Sequence, residues 1–295
     1  MATMNVIDIS SWQKGLDLSA VFADGNHLDG VVVKSTGGSS YVQPTCDAWI
    51  QWLIQNNKPF GFYHYMDDDY RHASGKAEAE WFVKNTRNYF GLGIPFADYE
   101  HPAKDLGTAY LKEFLDTVYA LTGVKAGVYC SLSVIHSQLF RSIADAGYPL
   151  WVAQYADGNP INGFLKTPWQ NGSVSPFPKY WMHQYTSNGH LAGYSGRLDF
   201  NKFYGSTDDW NALAKGEAPA PTPTLKPAGP EIVARLLSGE FGTESERIRK
   251  LTEAGYDHVS VQKKVNELYA IAQNCKRVVG NNLGYIDSIA TIMKG

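Results

Sequence analysis

Cysteine is scarce in this chain. Three in 295 residues (Cys46, Cys130 and Cys275), widely spaced, odd in number and without a Cys-x-x-Cys pair, leave no disulfide framework and no zinc site to organise a fold. The free thiols point to synthesis in a reducing compartment. Excess positive charge is missing too: 26 Lys and Arg stand against 29 Asp and Glu, so no basic field invites nucleic acid. No apolar run is long enough to span a membrane. Residues 1–9 carry Asn5 and Asp8 where a secretory leader needs a basic start and a long apolar core. The expectation is a protein made in the cytoplasm without a signal peptide and without membrane insertion, which needs a separate route of release if it acts outside. HExxH, HxH and GxSxG patterns are absent, and no glycine-rich phosphate loop follows the first apolar run. Zincin, serine-hydrolase and dinucleotide chemistry lose their support, and neither a metal nor a cofactor is expected.

Aromatic residues are plentiful instead: 8 Trp, 18 Tyr and 13 Phe. A large core accounts for part of this. A cleft for a flat, hydroxyl-rich ligand accounts for the rest equally well, since sugar faces stack on rings while their edges hydrogen-bond.

Residues 93–100, Gly-Ile-Pro-Phe-Ala-Asp-Tyr-Glu, form a short apolar run that ends on two acids, Asp98 and Glu100. In a strand, side chains i and i+2 share a face, so both carboxyls project the same way, with Cα atoms roughly 6–7 Å apart. Two acids at the end of a buried strand are costly unless paired, hydrated or used. Pro102 ends the ladder.

Seven other stretches have similar character: 5–10, 30–36, 60–66, 126–131, 150–156, 180–186 and 196–203. Helical spacing occupies 16–27, 45–57, 73–88, 106–121 and 133–146, whereas 157–179 and 187–195 are rich in Gly, Pro, Asn and Ser. The pattern predicts an α/β fold: an eight-stranded, parallel-type barrel with five βα units and three further strands. An open doubly wound sheet is the alternative. The barrel is expected to span 1–215. A proline-rich linker follows at 216–230, and 231–295 reads as a small all-α module, a three-helix bundle with a further C-terminal helix. With nine Lys and Arg against eight Asp and Glu, that tail suggests binding or assembly, including self-association.

In such a barrel, chemistry sits at the carboxyl ends of the strands. Those ends carry Asp8, Tyr63, Tyr65, Asp98, Glu100, Tyr129, Trp151, Gln184 and Asp199. Four acids gathered in one cleft raise each other's proton affinity, so one keeps its proton near neutral pH beside an ionised neighbour. That pairing is what glycosidic cleavage needs; metal binding is the competing use. A lone Asp such as Asp199 serves equally well as a turn cap. Asp67–Asp69 read as solvated loop acids, and His64 and His183 as structural.

The ordered segments 7–13 (IDISSWQ), 61–66 (GFYHYM), 95–100 (PFADYE), 127–131 (GVYCS), 150–155 (LWVAQY) and 181–203 resemble the glycoside hydrolase family 25 lysozymes, many of them phage endolysins. The resemblance covers residues 4–210. It implies a barrel of the kind just described and N-acetylmuramidase activity, cleavage of the β-1,4 bond from N-acetylmuramic acid to N-acetylglucosamine. It further implies that Glu100 is the general acid/base and Asp98 the transition-state partner that orients the 2-acetamido group. Asp8 and Asp199 match the other cleft acids, and Tyr63, Tyr129, Trp151 and Gln184, with Tyr65 beside them, the sugar sites. Residues 239–268 resemble the short wall-binding repeats of certain phage lysozymes, with Arg247, Tyr256, Asp257 and Gln262 matching. Phe241, Thr243 and Glu244 replace the Trp, Asn and Gly of the usual turn, and there is one copy. Peptidoglycan is therefore the expected partner, met at the wall of a Gram-positive host after release. Two rivals stay open: a catalytically inactive peptidoglycan-binding barrel, and an amidase or peptidase of the same wall.

Overall fold

A computed structural model describes residues 2–217, 229–242, 246–247, 250–251, 254–256, 261–268 and 270–271. The chain divides into two compact units, Met1–Ala220 and Pro221–Gly295.

The first unit contains ten strands: β1 (Met4–Ile9), β2 (Gly30–Gly37), β3 (Tyr41–Val42), β4 (Phe60–Tyr65), β5 (Ile94–Asp98), β6 (Gly127–Ser131), β7 (Leu150–Ala153), β8 (Ile161–Asn162), β9 (Met182–His190) and β10 (Leu198–Phe203). Eight close into a barrel in the order β1-β10-β9-β7-β6-β5-β4-β2, with β2 returning to β1. The short β3 and β8 are appended to β2 and β9. The closed barrel departs from the parallel expectation at one strand: β10 runs antiparallel to both β9 and β1. Its connection from β9, residues 191–197, is too short for a helical crossover, which leaves a hairpin-like return as the available route.

Strand alternation sorts the side chains. Ile7, Ile9, Val31 and Val33 point outward into the apolar layer beneath the helices, while Val6, Val32, Phe96, Trp151 and Phe203 fill the barrel. The interior is narrow. A Cβ on Gly127 of β6 would lie 2.5 Å from the Phe96 ring, so glycine there makes room for the phenyl group. Trp210 closes the lower end, fully buried, its indole N–H donating to the Phe60 carbonyl at 3.0 Å. Each such large side chain contributes about 2–3 kcal/mol by burial.

The helices are α1 (Leu18–Val21), α2 (Cys46–Gln55), α3 (Gly75–Thr86), α4 (Thr108–Thr122), α5 (Leu132–Ser137), α6 (Arg141–Asp145) and α7 (Thr207–Lys215). Two are shorter than their apolar spacing suggests. The helix expected over 16–27 stops after one turn: Asp17 caps its start, and Asn26 then bonds back to the Val21 and Ala192 carbonyls. The helix expected over 133–146 breaks at the extended Gln138. Its side chain accepts from the Tyr99 hydroxyl at 2.7 Å and donates to the Lys104 carbonyl at 2.8 Å, which anchors the segment carrying Glu100.

His64 is buried on the outer face of β4, between Thr36 and Glu78, both at 2.8 Å. The Tyr110 hydroxyl completes the Glu78 site at 2.6 Å. His183 is likewise buried, its Nε2 donating to the Gln154 carbonyl. Both histidines are structural. The loop acids are not simply solvated. Asp67 is fully buried and accepts from the backbone N–H and ring of His72; Asp68 pairs with Lys34; Asp69 holds Ser39 and Ser40. Three short carboxylates thus replace regular structure as the glue of this loop.

In the second unit, α8 (Pro230–Leu237) starts with proline at its first position and presents Ile232, Val233 and Leu236 to Phe241, Leu251, Val261 and Val265. Residues 261–268 are helical, and the further C-terminal helix expected of this module lies outside the described residues. Among the described residues, no helix is long and apolar enough to cross a membrane.

Candidate active site

At the upper rim of the barrel, a cleft of about 260 Å³ is lined by all nine barrel residues singled out from the sequence. They arrive by different routes. Asp8 and Asp98 stand at or beside the ends of parallel strands, as expected. Glu100 lies two residues past β5, and the intervening Tyr99 still donates its N–H to the Tyr129 carbonyl at 2.9 Å, so the alternation holds: Tyr99 is fully buried behind the strand while both acids face the cleft. Asp199 does not sit at a strand's carboxyl end. It is the second residue of β10, and the antiparallel direction of that strand brings its start to the rim, in register with Asp8. Gln184, third residue of the long β9, reaches the same level because it pairs with Ala153 at the end of β7.

Asp8 is held by two relays. The Tyr129 and Tyr155 hydroxyls donate to Gln184 Oε1 at 2.8 and 2.5 Å, which turns its Nε2 toward Asp8 Oδ2 at 2.9 Å. The Trp151 indole donates to Asn201 Oδ1 at 2.8 Å, which turns Asn201 Nδ2 to the same Asp8 oxygen at 2.7 Å. An indole N–H can only donate, so the Asn201 orientation follows from Trp151; phenols can also accept, and the Gln184 orientation follows from the Asp8 carboxylate oxygen that its Nε2 faces. Asp8 Oδ2 is consequently an acceptor of two N–H groups. Trp151 is 2% and Tyr129 9% exposed, and each shows the cleft little more than an edge. The open ring is Trp12, 88% exposed on a short 3₁₀ turn that Ser10 and Gln13 cap reciprocally.

Burial and mutual repulsion govern the four acids. Burial pushes the Asp8 carboxyl up to about 6, with the bonds from Asn201 and Gln184 pulling back and Glu100 pushing further. Asp199 is pushed up to about 8, first by burial and then by Asp8 and Glu100. Asp98 lies well above the usual carboxylate range, through burial and then Glu100 and Asp8. Glu100 is raised by burial and pulled back by the Tyr65 hydroxyl and Lys34. Asp98 Oδ1 is buried and has no hydrogen-bond partner among the described residues. The cleft therefore holds protons at neutral pH, presents one carboxylate locked as an acceptor, and leaves one buried carboxyl oxygen without a partner among the described residues. That is equipment for proton donation beside charge stabilisation.

A stability consequence follows for Asp199. Its folded value of about 8 exceeds the unfolded 3.8, so the folded state binds the extra proton and loses stability as pH rises between them. Asp199→Asn removes that loss. The variant is expected to match wild type near pH 4 and to exceed it at pH 8 by on the order of 1–3 kcal/mol in urea unfolding of the barrel. Equal stability at both pH values would show that Asp199 is ionised in the fold.

Tyr155 and Lys34, which line the cleft, and Asn201, which bonds Asp8 from behind it, escaped the sequence. Asn201 reads as a turn residue in isolation. Lys34 had a signal, a lysine inside the β-branched run GVVVKST, where a charge is costly unless employed.

In the second unit, Arg247 donates to Gln262 Oε1 and to the Gly242 carbonyl, both at 3.4 Å, and its Nε is buried without a partner among the described residues. Tyr256 packs at the edge of the small core. Asp257 lies outside the described residues.

Comparison with known proteins supplies the context for this geometry. The family model for "Glycosyl hydrolases family 25" matches residues 7–194, and that for the "CW_7 repeat" matches 231–269. The lysozyme of Streptococcus phage Cp-7 is 25% identical over 272 residues, 89% of this chain and 69% of that protein. An uncharacterized Escherichia coli protein is 27% identical over 221 residues, 72% of this chain and 74% of that one. Among solved structures, the lysozyme from Streptomyces coelicolor superposes with a TM-score of 0.61 at 25% identity, covering 74% of this chain and 100% of its own.

Proposed function

The chain belongs to the family 25 glycosyl hydrolases, and on that footing we propose that its cleft cleaves the β-1,4 bond from N-acetylmuramic acid to N-acetylglucosamine in peptidoglycan, with Glu100 as proton donor. The observation that carries this reading is the pairing of Glu100 with Asp98 in one cleft, the first with its proton affinity raised by burial and the second carrying a buried oxygen without a partner among the described residues.

Glu100 protonates the glycosidic oxygen as the bond to the anomeric carbon breaks. Positive charge then grows at that carbon, and Asp98 stabilises it. Asp98 accepts the 2-acetamido N–H, which directs the acetamido oxygen onto the anomeric carbon as a bicyclic oxazolinium. Asp8, fixed as an acceptor by Gln184 and Asn201, adds a further negative charge nearby. Water attacks next, Glu100 takes its proton, and configuration is retained. Every proton and electron pair in this sequence is accounted for by carboxyls, substrate and water.

The second unit is proposed as the wall-binding part, with residues 1–215 the catalytic part and 216–230 the connection. Arg247, Tyr256, Gln262 and Asp257 are its candidate contacts. Likeness to a Streptococcus phage lysozyme supports an endolysin that acts on a Gram-positive wall after release from the host cytoplasm. The test compares the full chain with one ending at Lys215. Both should release new reducing ends from solubilised peptidoglycan, and the shorter should bind insoluble walls on the order of ten-fold less. Unchanged wall binding would remove the role of the tail. No reducing ends from either form would favour a binding barrel that has lost catalysis.

A further inference from the structure

Lys34 is the single cationic side chain among the residues lining a cleft that holds four carboxyls. It is not a loose surface lysine. Its side chain is 13% exposed, and its Nζ lies 2.8 Å from Asp68 Oδ2. It stands 4.5 Å over the Tyr65 ring and 5.2 Å over that of Tyr41. Tyr65 in turn donates to the His101 carbonyl at 2.6 Å, on the residue that follows Glu100. The ammonium is therefore fixed on three sides, by one carboxylate and two aromatic faces, and joined through Tyr65 to the segment bearing the proton donor.

Among buried acids each ionisation is opposed by burial and by the charge of the next. Cleavage needs a mixed state, one carboxyl ionised and one protonated. We propose that Lys34 is the counter-ion of this cleft, a positioning residue that lets one carboxyl of the Asp98–Glu100 pair ionise while the other keeps its proton. The inference rests on the roles given above to Glu100 and Asp98. Both acids are pulled down by Lys34, in agreement with its place in the cleft.

Other groups face the pair. Asp8 on β1 and Asp199 on β10 add negative charge, and Asp68 adds more from the loop after β4. Tyr63, Tyr65 and Tyr129 are neutral phenols whose titration is pushed upward by burial. His101 and Lys104 follow Glu100 on its own segment and lower it less than Lys34 does. None of these lines the cleft as a cation.

The test is the pH dependence of kcat/KM for the full chain on solubilised peptidoglycan. The acid limb reports the first ionisation of the coupled Asp98–Glu100 pair and the alkaline limb the second. Lys34→Met should move both limbs upward by about one pH unit, and Lys34→Arg should return them. Asp68→Asn removes a negative charge but leaves the ammonium, so it should move both limbs downward; this variant keeps the inference testable if Lys34→Met fails to fold. A uniform loss of rate in Lys34→Met with unmoved limbs, or an upward movement in Asp68→Asn, would overturn the inference. Glu100→Gln run in parallel separates the two claims. If it keeps the wild-type rate, the role of Glu100 falls; if it is inactive while the limbs stay put, only the role of Lys34 falls.

Discussion

Glu100→Gln is expected to lower kcat on peptidoglycan by about 10²–10⁴-fold while KM changes by less than about threefold. The substitution keeps the shape of a half-buried side chain and removes only the transferable proton. Binding contacts elsewhere in the cleft are untouched, so the loss falls on the chemical step. Unfolding is not a competing explanation. Burial holds the Glu100 carboxyl above its ordinary value, so a neutral amide relieves the fold of charge that it resists. A thermal unfolding midpoint at or above that of wild type, together with the collapse in kcat, is the expected combination.

Asp98→Asn carries the second large effect, a loss of about 10²–10³-fold in kcat. The side chain is 7% exposed, and its Oδ1 has no partner among the described residues. A buried carboxyl oxygen without a donor costs free energy in the resting protein. In the proposed mechanism that cost is recovered when substrate supplies the missing N–H, and the carboxylate charge is used when positive charge develops at the anomeric carbon. The two contributions separate by substrate. If Asp98 orients the acetamido group, wild type should act poorly on muramic acid lacking its N-acetyl, and Asp98→Asn should discriminate far less between the two substrates. Equal discrimination by both proteins would leave Asp98 with a purely electrostatic task.

The strands were legible because their apolar runs are near-continuous, as in sheets covered on both faces. The pair Asp98 and Glu100 was legible because alternation fixes the common face of i and i+2, and Tyr99 obeys it from the opposite side. Direction was harder. Nothing local in residues 198–203 states that β10 runs antiparallel, yet that reversal is what carries Asp199 to the rim opposite Asp8. Polar relays were harder still. Asn201 and Tyr155 matter through partners 193 and 29 positions away, at Asp8 and Gln184. The broken helix at Gln138 has the same origin, since its side chain leaves the helical path to bond the Tyr99 hydroxyl and the Lys104 carbonyl. Long-range hydrogen bonds override local periodicity in each of these places.

Within the second unit, Phe241 illustrates how a departure from a motif is absorbed. It stands where the related repeats carry Trp, and it is buried at 5% exposure beneath the Arg235 guanidinium, whose carbon lies 5.3 Å from the ring centre. Arg235 is itself held by Glu240. The smaller ring thus serves the core of the module.

The measurement closest to the central claim is the identity of the sugar at the newly formed reducing end. Peptidoglycan digested by the full chain is reduced with borohydride, and the released fragments are analysed by mass spectrometry, with Glu100→Gln as the paired sample. The account predicts muramitol at the reduced end with the wild-type protein and almost none with the variant. Reduced N-acetylglucosamine, free stem peptides, or muramitol formed at equal rates by both proteins would contradict it.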